Sequence, residues 1–168
     1  MTLETCLCKQ SDFQTDWYHH WRQQICMAAP ELDPRDRPVW EVIWRGMSDA
    51  KTMHRKLWEW CAISQALAER NLLQSGHTGI GFAVGTEPLA SLFAARGVNI
   101  LASDYTDDSQ SSGWAETGQL ADCMENIHWP GFLSWQDFEQ RVSFKNIDMR
   151  DLRSLPGNHF DFSWSSCS

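Results

Sequence analysis

The sequence lacks several features that would place it in whole classes of protein. It contains no run of 18 apolar residues, so no membrane-spanning helix is predicted. Positive charge is scarce, with 14 Lys and Arg against 22 Asp and Glu and a net charge of −8. A nucleic-acid footprint and attraction to an anionic membrane are therefore not expected. Residues 1–10 show no basic stretch followed by an apolar one, so no secretory signal is predicted.

Motifs of common enzymes and of metal sites are also missing. The sequence has no G-x-S-x-G, Walker loop or H-E-x-x-H motif, which argues against the common hydrolases and phosphotransferases. Its six cysteines are scattered, which favours reduced thiols and a cytoplasmic location over a disulfide framework. Cys6 and Cys8 form a C-x-C pair without a second pair at metal-ligand spacing, so no metal site is predicted.

What is present is an ordinary globular composition, 168 residues of which 42% are hydrophobic. The pattern of apolar residues changes at about residue 75, which divides the chain into a helical extension (1–75) and a second domain (76–168). In the extension, apolar residues recur at helical spacing over 13–25 and again from Leu57 to Ala68. Two amphipathic helices are therefore predicted there.

In the second domain the period alternates between strand and helix. Apolar segments typical of strands occupy 78–84, 98–103, 142–147 and 160–165. A helix is predicted between Pro88 and Gly97, a second over 120–127 and a third behind Ser134, which begins a capping box with Asp137. This alternation predicts an α/β fold with a parallel sheet, in which ligands bind at the carboxyl ends of the strands.

A glycine-rich turn and an acidic residue at that edge indicate a nucleotide-like cofactor. Asp104 ends the second strand 19 positions after Gly85, where a carboxylate can accept the hydroxyls of a ribose. The dinucleotide fingerprint fails, since Val84 stands where it needs glycine or alanine. Glu87 at the start of the next helix disfavours a pyrophosphate but tolerates a cationic ligand. S-adenosylmethionine therefore fits better than NAD.

Five segments, in this order, resemble the amino-terminal half of a class I S-adenosylmethionine-dependent methyltransferase. They are HRKLWEW (54–60), GIGFAVGTEPLASLFAARG (79–97), ILASDY (100–105), NIDMRDL (146–152) and FDFSWSSC (160–167). The resemblance implies a Rossmann-like methyltransferase fold, S-adenosyl-L-methionine as cofactor, and methyl transfer by direct displacement.

The resemblance also implies roles for residues of the first loop. Gly81, Ala83 and Gly85 match the loop that wraps the methionine part of the cofactor. The chain departs from the commoner pattern here: Gly81 stands where most class I enzymes carry an acid, and Ala83 and Glu87 replace glycines. Glu87 is expected to supply the missing negative charge.

Roles at the ends of the second and third strands follow in the same way. Asp104 matches the acid that holds the ribose hydroxyls, and Tyr105 matches the neighbour that packs on adenine. Asp148 matches the acid near the adenine amino group, with Met149 supplying backbone and apolar contact. No catalytic residue is identified.

The full fold of that family has seven strands in the order 3-2-1-4-5-7-6, of which this sequence holds four, expected in the order 3-2-1-4. Ser165 and Ser166 match the end of the fourth strand, beside the methyl group. The chain is therefore expected to be a fragment that lacks the acceptor-binding half, binds the cofactor weakly or not at all, and transfers nothing. An apolar edge at Phe160, Phe162 and Trp164 would favour self-association.

The acceptor, a small molecule or a glycan, cannot be identified from these residues. Two alternatives to methyl transfer stay open: an NAD(P)-dependent oxidoreductase, and a nucleotide-binding module without catalytic activity.

Overall fold

The structure, a computed structural model, describes residues 7–29, 47, 49, 51–105 and 121–166. The chain separates into two units, Met1–Asn71 and Leu72–Ser168. Sequence reasoning placed this division a few residues later, between 75 and 76. Among the described residues no helix is both long and apolar enough to cross a membrane.

Two helices pack together in the first unit, α1 (Asp16–Met27) and α2 (Arg55–Glu69). The helix predicted over 13–25 is interrupted, because Thr15 has extended backbone and separates α1 from a 3-10 helix, Gln10–Gln14. The Thr15 hydroxyl accepts a hydrogen bond from the Tyr18 N–H at 3.4 Å and so caps α1. Between the helices, the indole of Trp21 donates to the side chain of Gln65 at 2.8 Å.

The second unit alternates strands and helices as the sequence predicts. In chain order its elements are β1 (Thr78–Gly81), α3 (Leu89–Ala94), β2 (Asn99–Asp104), α4 (Trp135–Arg141), β3 (Val142–Asn146) and β4 (Phe162–Trp164). The strands form one parallel sheet in the order β3-β2-β1-β4, which confirms the predicted order 3-2-1-4. Ser134 is confirmed as the N-cap of α4, since its hydroxyl accepts from the Asp137 N–H at 3.1 Å, while the Asp137 side chain accepts from that same hydroxyl.

Two elements differ from the sequence-based predictions. Only Met124–Ile127 of the helix predicted over 120–127 is helical, and it is a 3-10 helix; residue 120 lies outside the described residues. The first strand ends at Gly81 rather than at 84, because Ala83 and Gly85 have φ values of 49° and 53°. Such left-handed backbone cannot continue an extended strand.

On one face of the sheet, two glycines of β1 lie under two aromatic rings of β4. Gly79 is the register partner of Phe162, and Gly81 is the partner of Trp164. A Cβ atom at either glycine would come within 2.4 Å of the facing ring. Phe93 of α3 covers both rings edge-on, with centroids 6.0 Å and 5.2 Å away. The glycines are therefore needed for packing.

This packing corrects one expectation about the sheet edge. Phe162 and Trp164 are only 8% and 6% exposed, so their rings belong to the core and do not form an apolar edge. Phe160 lies on the other face, partly buried against a cluster of Ile80, Leu101 and Ile147. The side chain that β4 presents to solvent is that of Ser163.

Candidate functional site

The loop that follows β1 is tied to both neighbouring strands. The N–H of Phe82 donates to the carbonyl of Trp164 at 2.9 Å, and the N–H of Val84 donates to the carbonyl of Ser103 at 3.1 Å. Between them, Ala83 takes the left-handed conformation that glycine adopts most readily. The loop therefore retains a glycine-like path at the position where the sequence has alanine.

Asp104, the last residue of β2, joins this loop to the end of the second strand. Its Oδ2 accepts the backbone N–H groups of Gly85 and Ala121, each at 3.1 Å. Its Oδ1 accepts the N–H of Tyr105 at 2.9 Å. Burial raises the pKa of the Asp104 carboxyl, and the three backbone donors oppose that rise. The predicted ribose-binding acid is thus a buried group that also organises the backbone around it.

The number of these bonds limits what Asp104 could offer a ligand. A carboxylate has about four acceptor positions, two on each oxygen. Gly85 and Ala121 use both positions on Oδ2, while Tyr105 uses one of the two on Oδ1. In this arrangement one acceptor position remains, on Oδ1, which suits one hydroxyl group rather than two.

Glu87 brings a second buried carboxylate to the same edge of the sheet. It is 3% exposed and precedes α3, whose N-cap is Pro88. The hydroxyl of Ser166, two residues beyond β4, donates to Oε2 of Glu87. The predicted residues of the first and fourth strand ends are therefore in direct contact. Ser165, between Ser166 and β4, is exposed.

The predicted adenine-binding residues lie in a third group, linked by a residue that sequence reasoning missed. Asp148 follows β3, and its carboxylate is paired with the guanidinium of Arg150. The same guanidinium lies over the ring of Tyr105, with Cζ 5.9 Å from the ring centre. Tyr105 and Met149 are 43% and 44% exposed. The only sequence signal for Arg150 is its position two residues after Asp148.

Two buried polar atoms near this edge have no hydrogen-bond partner within the protein. They are the hydroxyl of Thr86, in the loop before α3, and the indole nitrogen of Trp164, at the end of β4. Both residues are at least 94% buried. An unsatisfied buried polar group costs roughly 1–3 kcal/mol, so these two atoms lower the stability of the folded unit.

Metal-ligand clusters and grooves also bear on what the described residues could bind. The described residues include no group of three or more His, Cys, Asp or Glu side chains that could hold a metal ion, while Cys6 of the C-x-C pair lies outside them. An open groove of about 490 Å³ is lined by Ile80, Phe82, Leu155 and Phe160 among others. It lies mainly against one face of the sheet, and its lining is largely apolar.

Comparison of the chain with protein-family models, with curated proteins and with solved structures gives no match. The site must therefore be interpreted from its own chemistry. Three acidic side chains (Glu87, Asp104 and Asp148) follow the strands β1, β2 and β3, with Arg150 as the cation among them. An edge of this composition suits a ligand that carries hydroxyl groups and positive charge.

Proposed function

We propose that the second unit binds S-adenosylmethionine at the carboxyl edge of its sheet and derives from an enzyme that transfers methyl groups. The observation that carries this proposal is the hydrogen bond between the Asp104 carboxylate and the N–H of Gly85. This bond places the Asp104 carboxylate, whose Oδ1 has one acceptor position left, next to the loop in which Ala83 and Gly85 have left-handed backbone. Such an arrangement suits the sugar of a nucleoside. The finer assignment to the class I methyltransferase fold rests on the sequence resemblance.

The charge of the edge supports this cofactor over NAD(P). A pyrophosphate needs unpaired N–H groups and positive potential at the start of a helix. Here Glu87 is buried next to that start, and α3 has only six residues. Val84, also buried, packs its side chain toward Gly81, where a dinucleotide fingerprint needs a small residue. Negative charge there opposes a pyrophosphate and favours an ammonium or a sulfonium.

The residues at the edge suit that cofactor in different ways. Oδ1 of Asp104 can accept one ribose hydroxyl, and the carboxylate of Glu87 can offset positive charge on the methionine part. When bound, S-adenosylmethionine supplies a methyl group on a good leaving group, so its transfer depends mainly on alignment with the acceptor.

A thermal-shift assay tests the cofactor directly. Millimolar S-adenosylhomocysteine is expected to raise the melting temperature of the chain, because a ligand that binds only the folded state stabilises it by mass action. NAD at the same concentration is expected to leave the melting temperature unchanged. A shift with NAD alone would support the oxidoreductase and overturn the proposal.

Binding without transfer favours a different class, a non-catalytic nucleotide-binding module. Radiolabelled S-adenosylmethionine, incubated with the chain and with mixtures of small-molecule or glycan acceptors, separates the two. Label in an acceptor supports an active transferase. Binding with no label in any acceptor favours the non-catalytic module. A cytoplasmic location stays an expectation from the sequence.

A further inference from the structure

The guanidinium of Arg150 contacts Asp148 and Tyr105, the two residues that the sequence resemblance assigns to adenine. Its Nε lies 2.9 Å and 3.0 Å from the two oxygens of Asp148, and its Nη2 lies 2.7 Å from Oδ2. Its Cζ lies 5.9 Å from the centre of the Tyr105 ring. One side chain therefore takes both the carboxylate and the aromatic face.

Arg150 uses most of the acceptor capacity of Asp148 in this arrangement. Oδ1 accepts the backbone N–H of Arg150 at 2.9 Å, Oδ2 accepts the Nη2–H, and the single Nε–H is shared between both oxygens. Three N–H groups thus occupy at least three of the roughly four acceptor positions of a carboxylate. An amino group of a ligand must share the Asp148 carboxylate with the guanidinium or replace it.

The chemistry of a guanidinium resembles that of adenine in the two respects that matter here. Both are planar, so both can lie over the ring of Tyr105, and both carry N–H donors in their plane for a carboxylate. Arg150 is 80% exposed at its side chain, so water can replace its contacts when it moves away. Opening the contact is therefore within reach of a modest binding energy.

We propose that Arg150 competes with the adenine ring for Tyr105 and Asp148, so that its side chain must swing out when the cofactor binds. This inference rests on the proposed function and adds a residue that limits affinity at the same site. It predicts that removal of the Arg150 side chain strengthens binding, the opposite of what a residue that contacts the ligand would show.

The chain contains a matched control three positions after Arg150. Arg153 pairs with Asp151 through Nε at 2.8 Å and Nη2 at 2.5 Å, with the same spacing of two residues. Its side chain is 90% exposed, much like that of Arg150. The Arg153 pair includes neither Asp148 nor Tyr105, so it reproduces the charge and the geometry without the proposed competition.

The experiment measures the dissociation constant of S-adenosylhomocysteine by titration calorimetry for the wild type, Arg150→Ala, Arg150→Lys and Arg153→Ala. This ligand has no net charge, which limits long-range effects of a changed protein charge. Arg150→Ala is expected to tighten binding about three- to tenfold, the value of an exposed ion pair and an exposed cation–π contact. Arg153→Ala is expected to change it less than about twofold, as for a surface pair without a role.

Arg150→Lys separates charge from competition, because lysine keeps the charge but lacks the planar fork. It is expected to tighten binding in the same direction as Arg150→Ala. Three results would overturn the inference while leaving the cofactor in place. The first is weaker binding by Arg150→Ala than by the wild type. The others are a gain in affinity in Arg150→Ala that is absent from Arg150→Lys, or one that Arg153→Ala shows equally. If neither the wild type nor Arg150→Ala binds the ligand, the proposed function is wrong and the inference falls with it.

Discussion

The carboxylate of Asp104 accepts the backbone N–H of Gly85 at 3.1 Å, across 19 positions of sequence. Because β1 and β2 are neighbours in a parallel sheet, their carboxyl ends lie side by side. This hydrogen bond holds the loop after β1 against the end of β2. The spacing of glycine and acid thus has a structural reason that is independent of any ligand. The remaining acceptor position on Oδ1 is what gives Asp104 its proposed role.

The first prediction concerns the packing of Gly81 under Trp164. A Cβ at Gly81 would lie 2.4 Å from Cζ2 of Trp164 and 2.6 Å from Cγ1 of Val84, so Gly81→Ala forces buried side chains to move. We expect Gly81→Ala to lower the free energy of unfolding by about 1–3 kcal/mol, as overpacking does. The measurement is urea unfolding followed by circular dichroism.

Gly157→Ala is the control for that variant, since a Cβ there would meet nothing within 4 Å. It is expected to stay within about 0.5 kcal/mol of the wild type, as surface substitutions usually do. Equal stability of the two variants would show that Trp164 does not pack against β1 as described.

The second prediction concerns the left-handed backbone of Ala83, whose φ is 49°. An alanine in this region is strained by roughly 1–2 kcal/mol, while glycine is not. Ala83→Gly is therefore expected to keep or raise the free energy of unfolding, even after glycine's greater freedom in the unfolded chain is subtracted.

Ala95→Gly provides the comparison in ordinary helical backbone, with φ of −61° at the exposed end of α3. It is expected to lower the free energy of unfolding by roughly 0.5–1 kcal/mol. Destabilisation of Ala83→Gly to the same extent would contradict the backbone conformation of the loop.

The third prediction follows from the pKa of Asp104, which burial raises above its usual value of 3.8. As pH rises from that value through the pKa of the folded state, the unfolded chain loses the Asp104 proton before the folded chain does. The contribution of Asp104 to the free energy of unfolding therefore falls with rising pH in this window. Asp104→Asn removes this titration, so the test is to compare the free energies of unfolding of the two proteins as pH rises from about 4 to neutrality. A constant difference between them would contradict the raised pKa.

The fourth prediction concerns self-association through β4, which pairs with β1 alone in the described sheet. We expect weak, concentration-dependent dimers in sedimentation velocity, formed by strand-to-strand pairing. Lysine on an edge strand blocks such pairing, so Ser163→Lys is expected to give a monomer. Ser143→Lys, an exposed position of β3 at the opposite edge, is the control and is expected to leave the dimer intact. Dimers that persist in Ser163→Lys would exclude this edge.

The elements of the second unit could be predicted because they follow from local patterns, while their order in the sheet was expected from the resemblance to the methyltransferase family. Each apolar segment is short, the helix between β1 and β2 begins behind Pro88, and the next begins with the capping pair of Ser134 and Asp137. Such signals lie within a few residues of the elements that they define. The end of β1 was not predictable in this way, because an alanine gives no sign of the positive φ that Ala83 adopts.

Long-range side-chain contacts were the part that the sequence could not supply. Trp164 lies over Gly81 from 83 positions away, which gives the glycine a packing role where the sequence suggested ligand approach. Arg150 covers Asp148 and Tyr105 because a turn places it between the ends of β2 and β3. Both contacts depend on tertiary structure, which neither periodicity nor motif spacing contains.

The most direct test of the proposed function is calorimetric titration of S-adenosylhomocysteine into Asp104→Ala and Asp161→Ala. Both aspartates accept a backbone N–H. Asp161 accepts that of Thr78 at 2.8 Å, at the amino end of β1, whereas Asp104 lies at the carboxyl ends of the strands. Circular dichroism establishes that both variants are folded. The account predicts that Asp104→Ala weakens binding by about 1.5–3 kcal/mol while Asp161→Ala binds as the wild type does. Unchanged affinity in folded Asp104→Ala would contradict it.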